Sequence, residues 1–127
     1  MARVVLDSSV VIALTNPSDL HHEAAVVATS AVNQYLLSVI SVSEALVTPH
    51  RISRSAFLKV EKFIHSAFSE IIPITTSISG EIASIRALTN LKLPDAIISA
   101  TATREKAVLW TFDKKLALAH PKSKLLR

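Results

Sequence analysis

Four acidic residues border apolar segments, which sets them apart from the other acids of the chain. Asp7 follows VVL, Glu44 lies within SVSEALV, Asp95 opens DAIISA, and Asp113 follows LWTF. The remaining acids fall in turns, at element ends or on polar helix faces, as solvated charges are expected to. Considered singly, each of the four is more simply explained as an acid at a helix N-terminus, where the helix dipole stabilises negative charge. Their joint pattern is harder to explain in that way.

Four carboxylates brought close together repel one another and raise each other's pKa. A hard divalent cation with oxygen ligands, Mg²⁺ or Mn²⁺, relieves that repulsion. A metal of this kind lowers the pKa of bound water and neutralises charge in the transition state of phosphodiester cleavage. If the four acids meet in space, the chemistry that they indicate is therefore metal-dependent hydrolysis of a phosphodiester.

Short apolar runs alternate with longer periodic segments along the chain. Because strands alternating with helices are typical of parallel sheets, the pattern predicts an α/β domain. The predicted strands are residues 3–6, 34–39, 70–74 and 107–112, with a last edge strand in 123–127, and the predicted helices are 8–15, 20–32, 41–47, 53–69, 77–90, 94–105 and a short one from Asp113. We expect Asp19 to cap the helix 20–32 and Pro49 to end the helix 41–47. The spacing of apolar residues in the helix 77–90 predicts that Ile78, Ile82, Ile85 and Leu88 face inward.

This topology predicts where the four acids lie. Asp7 and Asp113 end strands, and Glu44 lies in the opening turn of the helix after the second strand. Asp95 begins a crossover helix whose return strand ends at Asp113. All four therefore converge on the carboxyl edge of the sheet, where open α/β folds bind their ligands.

The composition limits the possibilities without choosing among them. The 127 residues are expected to form one domain, 1–127, and the absence of cysteine fits a cytoplasmic protein without disulfides or thiolate metal sites. The formal charge of +4 mildly favours a polyanionic partner. The only glycine, Gly80, excludes a glycine-rich phosphate loop. Polar residues interrupt the uncharged stretch 24–43, so no membrane span is expected, and the apolar run after MAR is too short for a secretory signal.

Four motifs, VVLDSSVVIAL, LLSVISVSEAL, LPDAIISATA and AVLWTFDKKL, occur in the order and rough spacing of PIN-domain nucleases. Across its length the chain most resembles the short VapC-type toxins of bacterial and archaeal toxin–antitoxin pairs. The resemblance implies a three-layer α/β/α fold with a central parallel sheet of four to five short strands. It also implies a homodimeric endoribonuclease that uses Mg²⁺ or Mn²⁺, leaves a 5′-phosphate and a 3′-hydroxyl, and is covered at its active site by an antitoxin.

The resemblance also implies roles for individual residues. Asp7, Glu44, Asp95 and Asp113 match the family's metal-binding acids without substitution. Ser8 or Ser9 resembles the small hydroxyl residue near the family's site, and Thr111 matches the hydroxyl residue two positions before the last acid. Such hydroxyls can hydrogen-bond a carboxylate or a metal-bound water. Thr111 is explained equally well as a β-branched strand residue.

Other candidate residues remain open between a functional and a structural explanation. Arg86, Lys114 and Lys115 could contact RNA phosphates, or could be solvated basic residues. Adjacent helical residues do not face one another, so His21 and His22 are not expected to form a metal pair, and the remaining histidines, His50, His65 and His120, are isolated. The Phe57, Phe63 and Phe68 stripe is expected in the core, although part of it could form a groove for an antitoxin helix. No aromatic residue alternates with basic residues as in a base-stacking platform.

Two further functions compete with a toxin nuclease: a non-catalytic PIN-like module that binds partners, and a PIN nuclease with a housekeeping role in RNA processing. Retention of all four acids argues against the first. A phosphoacceptor receiver-like domain is excluded, because it needs adjacent acids after the first strand and here Ser8 and Ser9 follow Asp7.

Overall fold

The sheet that carries the site is fully parallel, as a computed structural model describing all 127 residues shows. Its spatial strand order is β3-β2-β1-β4-β5. The strands are β1 (Arg3–Leu6), β2 (Gln34–Ser38), β3 (Glu70–Ile72), β4 (Val108–Thr111) and β5 (Ser123–Leu125). Each is three to five residues long, and all except the edge strand β5 are rich in β-branched or other apolar side chains, which favour a sheet covered on both faces.

Seven helices cover the two faces of the sheet. They are α1 (Ser8–Thr15), α2 (His22–Thr29), α3 (Val39–Ile52), α4 (Arg54–Ala67), α5 (Ser79–Leu88), α6 (Leu93–Arg104) and α7 (Lys114–Ala119), with one 3₁₀ turn at Thr76–Ile78. Side chains alternate between the faces of a strand, so Val4 and Leu6 pack with α1 to α4 while Val5 packs with α6 and α7. The three-layer α/β/α fold predicted from the sequence is confirmed.

The central strand β1 sets the level of the site. Leu6 pairs with Leu37 of β2 on one side and with Trp110 of β4 on the other, so these three strands end near the same height. From β1 the chain first builds the sheet outward through β2 and β3, and later adds β4 and β5 on the opposite side. The gap between β1 and β4 is therefore the topological switch point, where ligands of open α/β sheets bind.

The prediction that Pro49 ends its helix was wrong. Helix α3 begins at Val39, where the Ser38 hydroxyl accepts the Ile40 N–H at 3.2 Å, and it continues past Pro49 to Ile52. Proline has no N–H to donate within the helix, but its fixed φ is itself helical. Since α3 starts earlier than predicted, Glu44 lies in its second turn rather than its opening turn.

Two other helix predictions also needed correction. Helix α2 begins at His22, and Asp19 does not cap it; instead the Asp19 carboxylate accepts the His21 N–H at 2.8 Å within the preceding turn. A short Asx turn has taken the place of an N-cap. The uncharged stretch 24–43 is divided among α2, β2 and the start of α3, and no helix has the length and apolar character needed to cross a membrane.

Two apolar side chains predicted to face inward are exposed. Phe63 of α4 is 45% exposed, and Leu88, the last residue of α5, is 82% exposed. Helix α4 turns only a narrow part of its apolar stripe toward the sheet, so Ile64 and the following Phe68 reach the core while Phe63 lies at its margin. Ile82 and Ile85 of α5 pack against the other core cluster, as predicted.

Candidate functional site

Asp7 is the most buried of the four acids, with a residue exposure of 3%. It caps α1: its Oδ1 accepts the Val10 N–H at 3.2 Å and the Ser9 hydroxyl at 2.6 Å. Its Oδ2 accepts the Thr111 hydroxyl at 2.6 Å. Burial raises the pKa of this carboxyl, and the three hydrogen bonds oppose that rise. The carboxylate is thus fixed in orientation at the end of β1.

Two hydroxyl groups join the end of β1 to the end of β4. Thr111, besides donating to Asp7, accepts the Asp113 N–H at 2.9 Å. Ser9 Oγ accepts the Phe112 N–H at 3.1 Å. Two of the three hydroxyl residues that the sequence placed near the acids, Ser9 and Thr111, therefore contact Asp7 directly.

Glu44 projects from α3 toward the start of α1. Its carboxylate accepts a hydrogen bond from the Ser8 hydroxyl, which also lies 3.4 Å from the Ser41 hydroxyl. Ser41 is fully buried, and sequence reasoning missed it. The available signal was its position three residues before Glu44, which places both side chains on one helix face. Ser8 and Ser9 thus serve different acids.

Asp95 lies in the first turn of α6, after Pro94, and its carboxylate accepts no hydrogen bond from the protein. Its pKa is raised, first by partial burial and then by the negative charges of Asp113, Asp7 and Glu44, with Lys115 as the only opposing charge. Asp95 thus lies within electrostatic range of the other three acids near the switch point.

Asp113 caps α7 with one oxygen, Oδ1, which accepts the N–H groups of Lys115 at 2.8 Å and Leu116 at 3.4 Å. Its other oxygen has no protein partner. The ion pairs of the molecule lie elsewhere, since Arg3 pairs with Glu70 and Glu105, and Arg104 pairs with Glu81. The four clustered carboxylates consequently have no paired cation.

The donor set fits a hard divalent cation. All four groups are carboxylates, the ligands preferred by Mg²⁺ and Mn²⁺, and their mutual repulsion is relieved by no basic side chain in contact. In the present side-chain arrangement, no group of three or more His, Cys, Asp or Glu side chains stands at metal-binding distance. Asp95 nevertheless feels the charge of the other three acids, and Asp95 and Asp113 retain oxygens without protein partners.

The basic residues predicted to contact RNA are all exposed. Lys114 and Lys115 form the first turn of α7, directly after Asp113. Arg86 lies in the last turn of α5, and residues 89–92 lead from there to the start of α6. None of the three forms an ion pair, so their positive charges remain available to a polyanion.

Beside Glu44, a cleft of about 310 Å³ separates the end of α1 from α3 and α4. Apolar side chains dominate its floor, with Glu44 at one side and Lys59 at another; its apolar lining consists of Ile12, Ala45, Ile52, Ala56 and Val60 together with Pro17 and Pro49. The phenylalanine stripe predicted as a possible groove does not line this cleft.

The chain belongs to the PIN domain family, whose model matches residues 4–120. No curated protein matches this sequence. Among solved structures, a toxin–antitoxin complex from Klebsiella pneumoniae is 27% identical over 95% of each chain, with a TM-score of 0.75. VapC20 of Mycobacterium tuberculosis, described as a sarcin–ricin loop cleaving toxin, is 16% identical, covers 91% of this chain and 94% of its own, and has a TM-score of 0.78. FitAcB from Neisseria gonorrhoeae is 19% identical over 94% of each chain, with a TM-score of 0.77. The last two likenesses show the fold alone.

Proposed function

We propose that this PIN domain is a metal-dependent endoribonuclease and the toxin of a VapBC-type toxin–antitoxin pair. The observation that carries the proposal is the cluster of Asp7, Glu44, Asp95 and Asp113 at the switch point. Burial and then the charges of the other three acids raise the pKa of Asp95, and no basic residue forms an ion pair with the cluster. Membership of the PIN family supports a nuclease. The Mg²⁺ or Mn²⁺ ion is proposed from the donor chemistry.

Different residues have different roles in the proposed site. Ser9 and Thr111 orient Asp7, and Ser8 orients Glu44, while Asp95 and Asp113 offer oxygens without protein partners. Together these acids would hold the cation, which when bound would neutralise charge on the scissile phosphate and lower the pKa of the attacking water. Arg86, Lys114 and Lys115 are proposed to contact flanking phosphates.

The proposed reaction is hydrolysis. Water adds to phosphorus, the bond from phosphorus to the 3′ oxygen breaks, and that oxygen takes up a proton. The products are a 5′-phosphate and a 3′-hydroxyl. The four acids hold a negative substrate only if a cation first offsets their charge, so RNA binding and cleavage should both require the divalent ion.

A cognate antitoxin is the proposed protein partner. The support is likeness to structures described as a toxin–antitoxin complex from Klebsiella pneumoniae and as VapBC2 from Rickettsia felis bound to promoter DNA, the latter at 15% identity and a TM-score of 0.77. The apolar cleft beside Glu44 is suited to an antitoxin side chain or helix, because an occupant there would restrict access to the acids. We also propose a homodimer in the cytoplasm, on the resemblance set out above.

Cleavage of RNA by the purified protein tests the nuclease. We expect cleavage with Mg²⁺ or Mn²⁺ and arrest by EDTA. Asp7→Asn and Asp95→Asn should each lose about 100-fold or more, because losing a ligand should cost at least as much as the roughly 10- to 100-fold lost with an outer-shell partner. Glu61→Gln changes an acid outside the cluster and should cleave like the unmodified chain. Unchanged cleavage in both cluster variants would overturn the assigned site.

Expression in bacteria separates a toxin from a housekeeping nuclease. The unmodified chain should arrest growth, Asp95→Asn should not, and co-expression of the small protein encoded beside it should restore growth. A nuclease that leaves growth unaffected would support the housekeeping role. A chain that binds its partner but cleaves no RNA with all four acids intact would be the non-catalytic module.

A further inference from the structure

The imidazole of His21 lies flat on the ring of Phe112, which directly precedes Asp113. The ring centroids are 4.3 Å apart and the planes differ by 10°. His21 is exposed, whereas Phe112 is only partly so. One face of the imidazole is thus covered by Phe112, and the exposure of the residue leaves the opposite face to solvent.

Hydrogen bonds from the backbone N–H groups hold both residues of this stacked pair in position. The Phe112 N–H donates to Ser9 Oγ at 3.1 Å, and Ser9 in turn donates to Asp7 Oδ1 at 2.6 Å. The His21 N–H donates to the Asp19 carboxylate at 2.8 Å, which holds the turn before α2. Two hydrogen bonds therefore connect the ring pair to the most buried acid of the cluster.

The sequence did not predict this platform, because its two rings come from distant parts of the chain. In the sequence, Phe112 does not alternate with basic residues, and it lies just after β4. In the folded chain it acquires His21 on its face, and the exposed Lys114 and Lys115 follow it by two and three positions. An open aromatic face, nearby positive charges and an adjacent hydrolytic cluster are the components of a site for single-stranded nucleic acid.

We propose that His21, backed by Phe112, stacks on a nucleobase of the RNA next to the scissile phosphate. The inference rests on the proposed nuclease function and adds a subsite to it. Unpaired bases stack on aromatic side chains, histidine among them, and the interaction tolerates different bases because each has a π-face. The subsite therefore favours an unpaired nucleotide at the cleavage position and gives little discrimination among the four bases.

A binding experiment tests the stack without relying on catalysis. The protein with all four acids intact is mixed, in the presence of Mg²⁺, with a non-hydrolysable analogue of a short single-stranded RNA that carries 2-aminopurine. Stacking should quench the 2-aminopurine fluorescence, and His21→Ala should abolish the quench and weaken binding by about 5- to 100-fold, the usual effect of removing one stacked base. His21→Tyr should restore both signals, because it supplies a ring of similar breadth.

Activity of the active protein provides the second readout. In His21→Ala, KM for RNA should rise by a similar factor while kcat changes little, since the acids are untouched. His65→Ala, which removes an exposed histidine on α4, is the matched control and should change neither constant. Equal quench and KM in His21→Ala and the unmodified chain would overturn the stack. Loss of function in His21→Tyr as well would also overturn it, by showing a role that only imidazole fills.

These outcomes separate the stack from the function on which it rests. If Asp95→Asn abolishes cleavage while His21→Ala behaves like the unmodified chain, the proposed nuclease function is supported and the proposed stacking of His21 on RNA is rejected. If the unmodified chain neither binds nor cleaves RNA, both proposals are rejected. A drop in melting temperature in His21→Ala without a change in quench would show that the ring pair only secures the turn before α2, which likewise rejects the stack.

Discussion

At the scale of single residues, hydroxyl groups determine how the acids are presented. Asp7 is nearly buried, and burial alone would favour its protonated form. Ser9 and Thr111 donate hydrogen bonds that favour the charged form, and charge-assisted bonds of this kind are among the stronger ones in proteins. The buried acid can therefore remain an anion, which a metal ligand must be.

Replacing Thr111 by Val tests whether its hydroxyl is needed to orient Asp7 or whether only its β-branched shape in the strand matters. Valine keeps the β-branched shape but leaves Asp7 Oδ2 and the Asp113 N–H without their partner, so we expect a 10- to 100-fold loss of cleavage and about 1–3 kcal/mol of stability. Thr111→Ser keeps the hydroxyl and should retain most activity. Cleavage by Thr111→Val at the unmodified rate would show that the strand shape alone matters. Cleavage assays and urea unfolding measure the two effects.

His120 should make stability depend on pH. It is 4% exposed, its Nδ1 lies 2.7 Å from Ser99 Oγ, and burial lowers its pKa below the usual 6.5. Because the unfolded chain then binds the proton more readily, this histidine leaves stability intact above about pH 6.5 and reduces it as the pH falls toward the lowered pKa. Urea unfolding at pH 7.5 and 5.5 should show a smaller pH-dependent loss for His120→Asn than for the unmodified chain. His65→Asn, which alters an exposed histidine, should change nothing; an equal loss in all three proteins would contradict the prediction.

At the scale of elements, three of the four acids lie at helix N-termini. Asp7 and Asp113 cap α1 and α7, and Asp95 lies in the first turn of α6, so three helix dipoles favour negative charge at the same edge. The helix-cap explanation and the metal-site explanation of these residues are thus compatible. The dipoles stabilise the anions before any cation is bound, and the parallel sheet brings the three termini together.

The sequence could predict the position of the acids, because the ends of parallel strands must share one edge. It could not predict that α3 passes through Pro49, since packing of Val42 and Ala45 in the core outweighs the local cost of proline. Nor could it predict Ser41 or the His21 and Phe112 stack, because each contact joins residues that only the fold brings together. The exposure of Phe63 could not be predicted either, because the spacing of apolar residues does not show how much of a helix face is buried.

Pro49→Ala should stabilise the protein by about 1–2 kcal/mol. Alanine supplies the N–H that the Ala45 carbonyl lacks in α3, a gain reduced by the greater freedom of the unfolded chain. Pro17→Ala is the matched control, because Pro17 lies in the turn after α1, and it should not raise stability. Chemical unfolding would detect the difference, and a Pro49→Ala protein no more stable than the unmodified chain would show that the helix is already relaxed around the proline.

At the scale of the whole molecule, a net positive charge coexists with a local cluster of unpaired negative charges. The chain carries a formal charge of +4, yet its ion pairs involve only acids outside the cluster, which leaves four carboxylates unpaired at the switch point. Net positive charge favours approach of a polyanion, while the local negative charge repels its phosphates. The proposed divalent cation would resolve this conflict locally, so stability, metal binding and RNA binding should be coupled.

Asp95→Asn tests that coupling through stability. Without divalent ions its free energy of unfolding should be slightly higher than that of the unmodified chain, because a partly buried charge facing three like charges is removed and solvent screens much of that repulsion. Mg²⁺ should reverse the order: at 100 times its Kd it stabilises the unmodified chain by about 2.7 kcal/mol, while the variant with one ligand fewer gains less. Asp19→Asn should respond to Mg²⁺ like the unmodified chain. Thermal and urea unfolding with EDTA and with Mg²⁺ measure both steps, and an equal Mg²⁺ response in the unmodified chain and Asp95→Asn would remove Asp95 from the proposed metal site.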